Sequence, residues 1–185
     1  MPHNACLIVI SGPPGAGKTA LARALGQRLG TPVVIRDEIK QGMVITAADD
    51  DRSGDEHDAL NIPALNAFFG TLELLVRAGV TCVAEAAFQD RLWRPNLLPL
   101  TEIADIRIIH CTAPAAVLRD RIVHRAGADP HRRAHDDSGL ITAIARGEHT
   151  FVPVNLDVPS LTVDTSNGYS PDLDTIAQFA IHHVI

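Results

Sequence analysis

The sequence predicts an α/β fold, three layers deep, around a five-stranded parallel sheet. Three observations predict it. Five short β-branched runs alternate with longer helical stretches. Each run is apolar nearly throughout, as strands covered on both faces must be. A glycine-proline loop joins the first run to the first helical stretch. Strand–helix alternation of this kind builds parallel sheets, because each crossover helix returns the chain to the end of the sheet where the previous strand began.

The runs are "ACLIVI" (5–10), "PVVIR" (32–36), "VTCVAEA" (80–86), "DIRIIHC" (105–111) and "SLTVD" (160–164). After the loop, Leu21, Leu25 and Leu29 repeat at four-residue spacing, and Gly30 supplies a stop. Residues 59–78 carry Leu65, Phe68, Phe69, Leu72, Leu75 and Val76, closed by Gly79. Residues 114–126 and 171–183 form two further helices. Two stretches break the order. "TAADDDRSGDEHD" (46–58) is acidic and aperiodic, a mobile loop near a substrate entrance or a surface insertion without a role. "RAGADPHRRAHDDSG" (125–139) is rich in arginine and histidine and has the character of a lid. No internal repeat occurs, and 185 residues make one domain with that small lid.

Composition narrows the function. The apolar share of 46% supports a proper core, and the formal net charge is −6. That balance disfavours a long nucleic-acid substrate or an anionic membrane as partner. The first apolar run stops at Ser11, short of a signal peptide or membrane span. Cys6, Cys82 and Cys111 all fall in strand runs. An odd number of buried cysteines points to reduced thiols in the cytoplasm. His131 and His135 have H-x-x-x-H spacing without a third metal ligand. Oligomeric state leaves no mark on the sequence.

The loop carries the chemistry. "GPPGAGKT" fits G-x-x-x-x-G-K-[ST] at Gly12, Gly17, Lys18 and Thr19, with Pro13, Pro14, Gly15 and Ala16 between. Glycines let backbone N–H groups approach phosphate oxygens. The following helix points its positive end at the same anion. Lys18 is a compact cation for the β- and γ-phosphates, and the Thr19 hydroxyl suits Mg²⁺. The chain holds only two lysines, Lys18 and Lys40, beside fourteen arginines. The signature, between an apolar strand and an amphipathic helix, predicts a P-loop NTPase fold that binds a nucleoside triphosphate with Mg²⁺. A guanine-specific N-K-x-D is absent, since no other lysine exists to make it.

With these residues in view, the sequence resembles the P-loop small-molecule kinases grouped with AAA-type kinases. That group includes chloramphenicol phosphotransferase, polynucleotide kinase, gluconate and shikimate kinases and zeta-toxin-like enzymes. The resemblance implies transfer of the γ-phosphoryl of ATP to a hydroxyl of a small molecule, a metabolite or an antibiotic. It leaves open a nucleoside, nucleotide or polynucleotide 5′-hydroxyl kinase. A non-catalytic nucleotide-binding regulator or toxin–antitoxin component is the reading from another class. In "IRDEIK" (35–40), resembling the family's "(S/D)RDE(I/V)R", it implies that Asp37 accepts or orients the hydroxyl proton, with Arg36 and Lys40 beside the acceptor. The alternative for Asp37 is to cap a helix beginning at Glu38. Glu85, ending "VAE", corresponds to an aspartate contacting substrate or magnesium-bound water. Phe88, Arg91, Trp93 and Arg94 would form an acceptor wall, unless Trp93 simply packs against the sheet. Arg121 and Arg125, four apart on one helix, are candidates for the γ-phosphoryl, with Arg132 and Arg133 as alternatives. Thr165, Ser166, Asn167 and Gly168 would lie against the adenine.

Overall fold

A computed structural model describes residues 5–47, 59–128 and 151–181, with side chains to Thr46 and to His124 in the first two spans. The lid and the acidic loop predicted at 125–139 and 46–58 lie outside the described residues, apart from the helix ends that lead into them. So do His131, Arg132, Arg133 and His135.

Strands β1 (Ala5–Ser11), β2 (Val33–Ile35), β3 (Cys82–Glu85), β4 (Ala104–Thr112) and β5 (Ser160–Asp164) form one sheet. Its order is β2-β3-β1-β4-β5, and every pairing is parallel. The helices are α1 (Lys18–Leu29), α2 (Arg36–Ala47), α3 (Asn61–Arg77), α4 (Asp90–Leu97), α5 (Ala115–Ala128) and α6 (Leu173–Ile181), with a 3-10 turn over Leu98–Glu102. All five predicted strands and all four predicted long helices form.

Alternation along the strands splits the core into two layers. Leu7, Val9, Ala84, Ile106 and Ile108 face one way and meet Phe68, Leu72, Val76, Trp93 and Leu97 from α3 and α4. Ile8, Ile10, Val83, Ile109, Cys111 and Val163 face the other way, onto Leu21 and Leu25 of α1 and Ile176 and Ala180 of α6. Gly26 lets α1 and β2 touch, since a Cβ there would lie 2.1 Å from Val33 Cγ2.

Two departures from the expected boundaries have local causes. The second strand ends at Ile35, because Arg36 already belongs to α2. Asp37 and Glu38 fall in the first turn of α2, where carboxylates suit the positive helix end. Asp37 is thus inside the helix and not the cap of one starting at Glu38. The second departure is α4, which the sequence presents only as a polar wall containing Pro95. Trp93 and Leu97, four apart and both fully buried, anchor it to the sheet.

Candidate active site

The first strand–helix junction sets the site. The turn after β1 closes with the Ala16 N–H donating to the Pro13 carbonyl at 3.2 Å. Gly15 takes φ 80°, and a Cβ on it would lie 2.6 Å from the Leu118 carbonyl oxygen. A Cβ on Gly12 would lie 2.4 Å from the Cys111 carbonyl oxygen. The loop is therefore pressed against β4 and α5, and those two positions admit only glycine. Lys18 opens α1, is 7% exposed, and its Nζ donates across the loop to the Pro13 carbonyl at 3.0 Å.

Register brings the acids to the same end of the sheet. Glu85 pairs with Ile10 on one side and Ile35 on the other. It is 5% exposed, and its Oε2 accepts the Thr19 hydroxyl at 2.8 Å. Thr19 and Glu85 thus offer two hard oxygen donors side by side, the ligand chemistry that Mg²⁺ takes. Among the described residues, no cluster of three or more histidine, cysteine or carboxylate side chains suits a metal by itself.

On the other side of the loop, the segment after β5 is sewn to it. Thr165 is buried, and its hydroxyl lies 3.1 Å from the Ala16 carbonyl oxygen and 3.2 Å from that of Thr112. Arg121 Nη1 donates to the Gly15 carbonyl at 3.3 Å and to Thr165 Oγ1 at 3.1 Å. Its Nη2 donates to the carbonyls of Thr165 and Ser166. Arg121 engages backbone carbonyls here, and the Thr165 side chain faces the phosphate loop instead of an open base pocket. Asn167 and Gly168 are exposed just beyond, Gly168 with φ 82°. Arg125 lies one turn on in α5, its side chain outside the described residues.

Arg36, Asp37 and Lys40, predicted for the acceptor side, gather near Asn61, which the sequence reading did not single out. It opens α3, and nothing in its local pattern distinguishes it from an ordinary helix start. Arg36 Nη2 donates to Asn61 Oδ1 at 2.8 Å, and Lys40 Nζ donates to the same oxygen at 3.0 Å. Arg36 Nη1 also reaches Asp37 Oδ1 at 3.3 Å, and the Arg36 guanidinium lies over the Phe88 ring, 5.7 Å from its centroid. Lys40 is 4% exposed, whereas the Asp37 side chain is 44% exposed beside it.

The rest of the predicted wall separates. Phe88 and Trp93 pack with Phe68 and Phe69 in one aromatic cluster, centroids 5.2–5.9 Å apart. Trp93 is therefore core. Arg91 and Arg94 stand on the exposed side of α4, opposite Trp93. Ser11, the last residue of β1, pairs in register with His110 of β4, and Ser11 Oγ and His110 Nδ1 are buried without a hydrogen bond. Burial lowers the His110 pKa, favouring the neutral ring. The three cysteines are free and buried. Burial pushes Cys6 to about 11, and Cys82 and Cys111 to about 12. A cavity of about 390 Å³ lined by Thr101, Asp105, Arg107 and Asp157 opens at the opposite end of β4, away from this chemistry.

The fold and this junction define a P-loop protein with a kinase-like sheet. A family model described as "AAA domain" matches residues 7–146. The chain belongs to that family, among the P-loop small-molecule kinases to which its signature pointed. A solved structure from Chloroflexus aurantiacus J-10-fl, described only as kinase-like, is similar over 99% of this chain and 100% of its own, at 26% identity and a TM-score of 0.84. A sugar kinase from Janibacter sp. HTCC2649 shares the fold over 96% of this chain and 94% of its own, at 17% identity and TM-score 0.62. A gluconokinase from Sinorhizobium meliloti 1021 does so over 97% and 91%, at 16% identity and TM-score 0.55. No match to the sequence occurs among curated proteins. Among the described residues, no helix is long and apolar enough to cross a membrane.

Proposed function

We propose that the protein is an ATP-dependent kinase that phosphorylates a hydroxyl of a small molecule, with Mg²⁺. The observation that carries this reading is the alignment of Ile35, Glu85 and Ile10 at one sheet end. It sets Thr19 and Glu85 within hydrogen-bond distance beside Lys18, and the α2 acid Asp37 two residues past the neighbouring strand. In open α/β sheets, ligands bind at this carboxyl end.

The roles follow from chemistry. Thr19 and Glu85 would hold Mg²⁺, directly or through water, and the ion would supply positive charge between the phosphates. The loop amides and the start of α1 bind the triphosphate tail. Lys18 exchanges its Pro13 carbonyl for phosphate oxygens and stabilises charge on the moving phosphoryl. Asp37 orients the acceptor hydroxyl and takes its proton as the new O–P bond forms and the bond to the β-phosphate oxygen breaks, releasing ADP. Arg121 braces the loop, and Arg125 is assigned to the γ-phosphoryl. Asn167 and Gly168 border the base. The three reduced, unreactive thiols fit a cytoplasmic protein.

The test is a pooled screen of hydroxylated metabolites, antibiotics and nucleosides with Mg-ATP, seeking new phosphorylated masses. A phosphorylated small molecule, lost in Asp37→Asn while ATP still binds, upholds the reading. Nucleotide binding that alters association with a partner protein, without any product, would replace it by the regulator reading.

A further inference from the structure

We infer that Ser11 and His110 hold a second hydroxyl of the acceptor, so that the substrate is a polyhydroxylated compound gripped at a point apart from the hydroxyl that is phosphorylated. The inference rests on the kinase reading for the reacting hydroxyl, while the pair stands on its own geometry. Side chains of β1 and β4 that face α3 and α4 are apolar at every earlier position: Ala5, Leu7 and Val9 on one strand, Ala104, Ile106 and Ile108 on the other. The pattern breaks at the next row. There Ser11 pairs in register with His110, and alternation turns both towards that same side. Ser11 is fully buried. Among the described residues, neither its Oγ nor the buried Nδ1 of His110 has a hydrogen-bond partner.

Unpaired buried polar atoms are costly and therefore scarce in folded proteins. Two of them on neighbouring strands, about 5 Å apart across the sheet, make a place that one ligand oxygen completes. A hydroxyl suits both partners. The serine hydroxyl donates or accepts, and the imidazole, kept neutral by burial, carries one N–H and one lone pair. The pair itself offers no charge for an ion to meet. Its position fits an acceptor contact. Ser11 is the last residue before the phosphate loop. Ala86, just past β3, stands on its other side, with its N–H on the Ile10 carbonyl at 3.4 Å. The row runs outward from buried Ser11 through half-buried His110 to exposed Thr162 of β5, which pairs with His110. It lies on the face of the sheet away from α1, whose start is assigned to the triphosphate. Asp37 follows β2, and the sheet order puts β1 and β4 two and three strands from β2, about 10 and 14 Å away. A group held by the pair is therefore several bonds from the hydroxyl at Asp37.

The experiment has a binding arm and a turnover arm. Protein labelled with ¹⁵N in its histidine rings is titrated with polyols, sugars and nucleosides, with and without Mg-ADP. The ring signal that is missing in His110→Phe is followed by NMR. At least one compound moves that signal saturably, and Mg-ADP alone does not. For that compound, calorimetry shows binding weakened about tenfold in Ser11→Ala. One of its monodeoxy analogues binds the natural protein about as weakly and loses nothing further in Ser11→Ala. A merely structural role for Ser11 would weaken compound and analogue alike. His110→Phe gives the same pattern and covers the case in which Ser11→Ala does not fold. The inference is overturned if no compound moves the signal, as when the pair holds only a trapped water, or if Mg-ADP alone moves it. It is also overturned if the loss in the variants is equal for the compound and every deoxy analogue. In the turnover arm, each compound is offered Mg-ATP. Movement of the signal without phosphorylation upholds the pair and counts against the kinase reading. Phosphorylation of compounds that leave the signal unmoved does the reverse.

Discussion

The phosphate side and the acceptor side of the cleft are built in different ways. On the phosphate side most contacts are to main chain, the Thr19–Glu85 and Arg121–Thr165 Oγ1 hydrogen bonds apart. Lys18 meets the Pro13 carbonyl, Thr165 the carbonyls of Ala16 and Thr112, and Arg121 those of Gly15, Thr165 and Ser166. On the proposed acceptor side the contacts are mostly between side chains, drawn from α2, α3 and the segment after β3, with one Arg36 bond to the Asn61 carbonyl. Backbone geometry is nearly independent of side-chain identity, so the first region can be specified by glycines and one lysine. The second depends on each side chain, and it can change its ligand by substitution without disturbing the fold. In the proposed reading, phosphate binding is thus the fixed property and acceptor choice the adjustable one.

Substitutions can break or sharpen that contrast. Asp37→Asn keeps shape and removes the proposed base, and is expected to lower kcat by about 10²–10⁴ with ATP binding intact. Steady-state kinetics with calorimetry checks both halves. Lys18→Met removes a cation aimed at the transferring group, and a kcat loss of roughly 10²–10³ is expected. Arg121→Met tests the main-chain side without touching the chemistry. Hydrogen bonds to charged groups are worth about 1.5–3 kcal/mol each. Loss of the brace should therefore raise KM for ATP by about tenfold, with a smaller change in kcat. A kcat loss as large as that of Lys18→Met would show that Arg121 reaches the phosphoryl group.

His110 gives a pH-dependent prediction. Its pKa is lowered in the folded state by burial, so the unfolded chain takes up the proton first. The neutral ring contributes stability fully above the unfolded pKa near 6.5, and this is lost as pH falls towards the folded pKa. Tm measured from pH 7.5 down to 5 should fall less steeply in His110→Gln than in the natural chain. The smallest effect is expected for Ser11→Ala. A buried hydroxyl without a partner contributes no hydrogen bond, so stability should stay within about 1 kcal/mol or rise. A larger loss would reveal a bound water or ligand at that strand end.

The phosphate side was legible because sequence neighbours make it. Residues 12–19 are consecutive, and each glycine answers a local demand for space or positive φ. The five strands were legible for a similar reason, since burial on both faces makes each run apolar regardless of what packs on it. Glu85 and Asp37 could be placed because each ends or follows a strand. Asn61 could not, because its importance comes from Arg36 and Lys40, more than twenty residues away, and an asparagine at a helix start is unremarkable. Helix α4 was hidden by Pro95 and by polar residues around two buried anchors. The group of Phe88, Arg91, Trp93 and Arg94 looked like one surface, yet the helix turns Trp93 inward and both arginines outward.

Calorimetric titration of the natural protein with ATP and Mg²⁺, beside Lys18→Met, tests the central claim most directly. The account predicts saturable heat from the nucleoside triphosphate, weakened at least tenfold by removing the ammonium group. Absence of heat with every nucleoside triphosphate, or equal affinity in the two proteins, would contradict it.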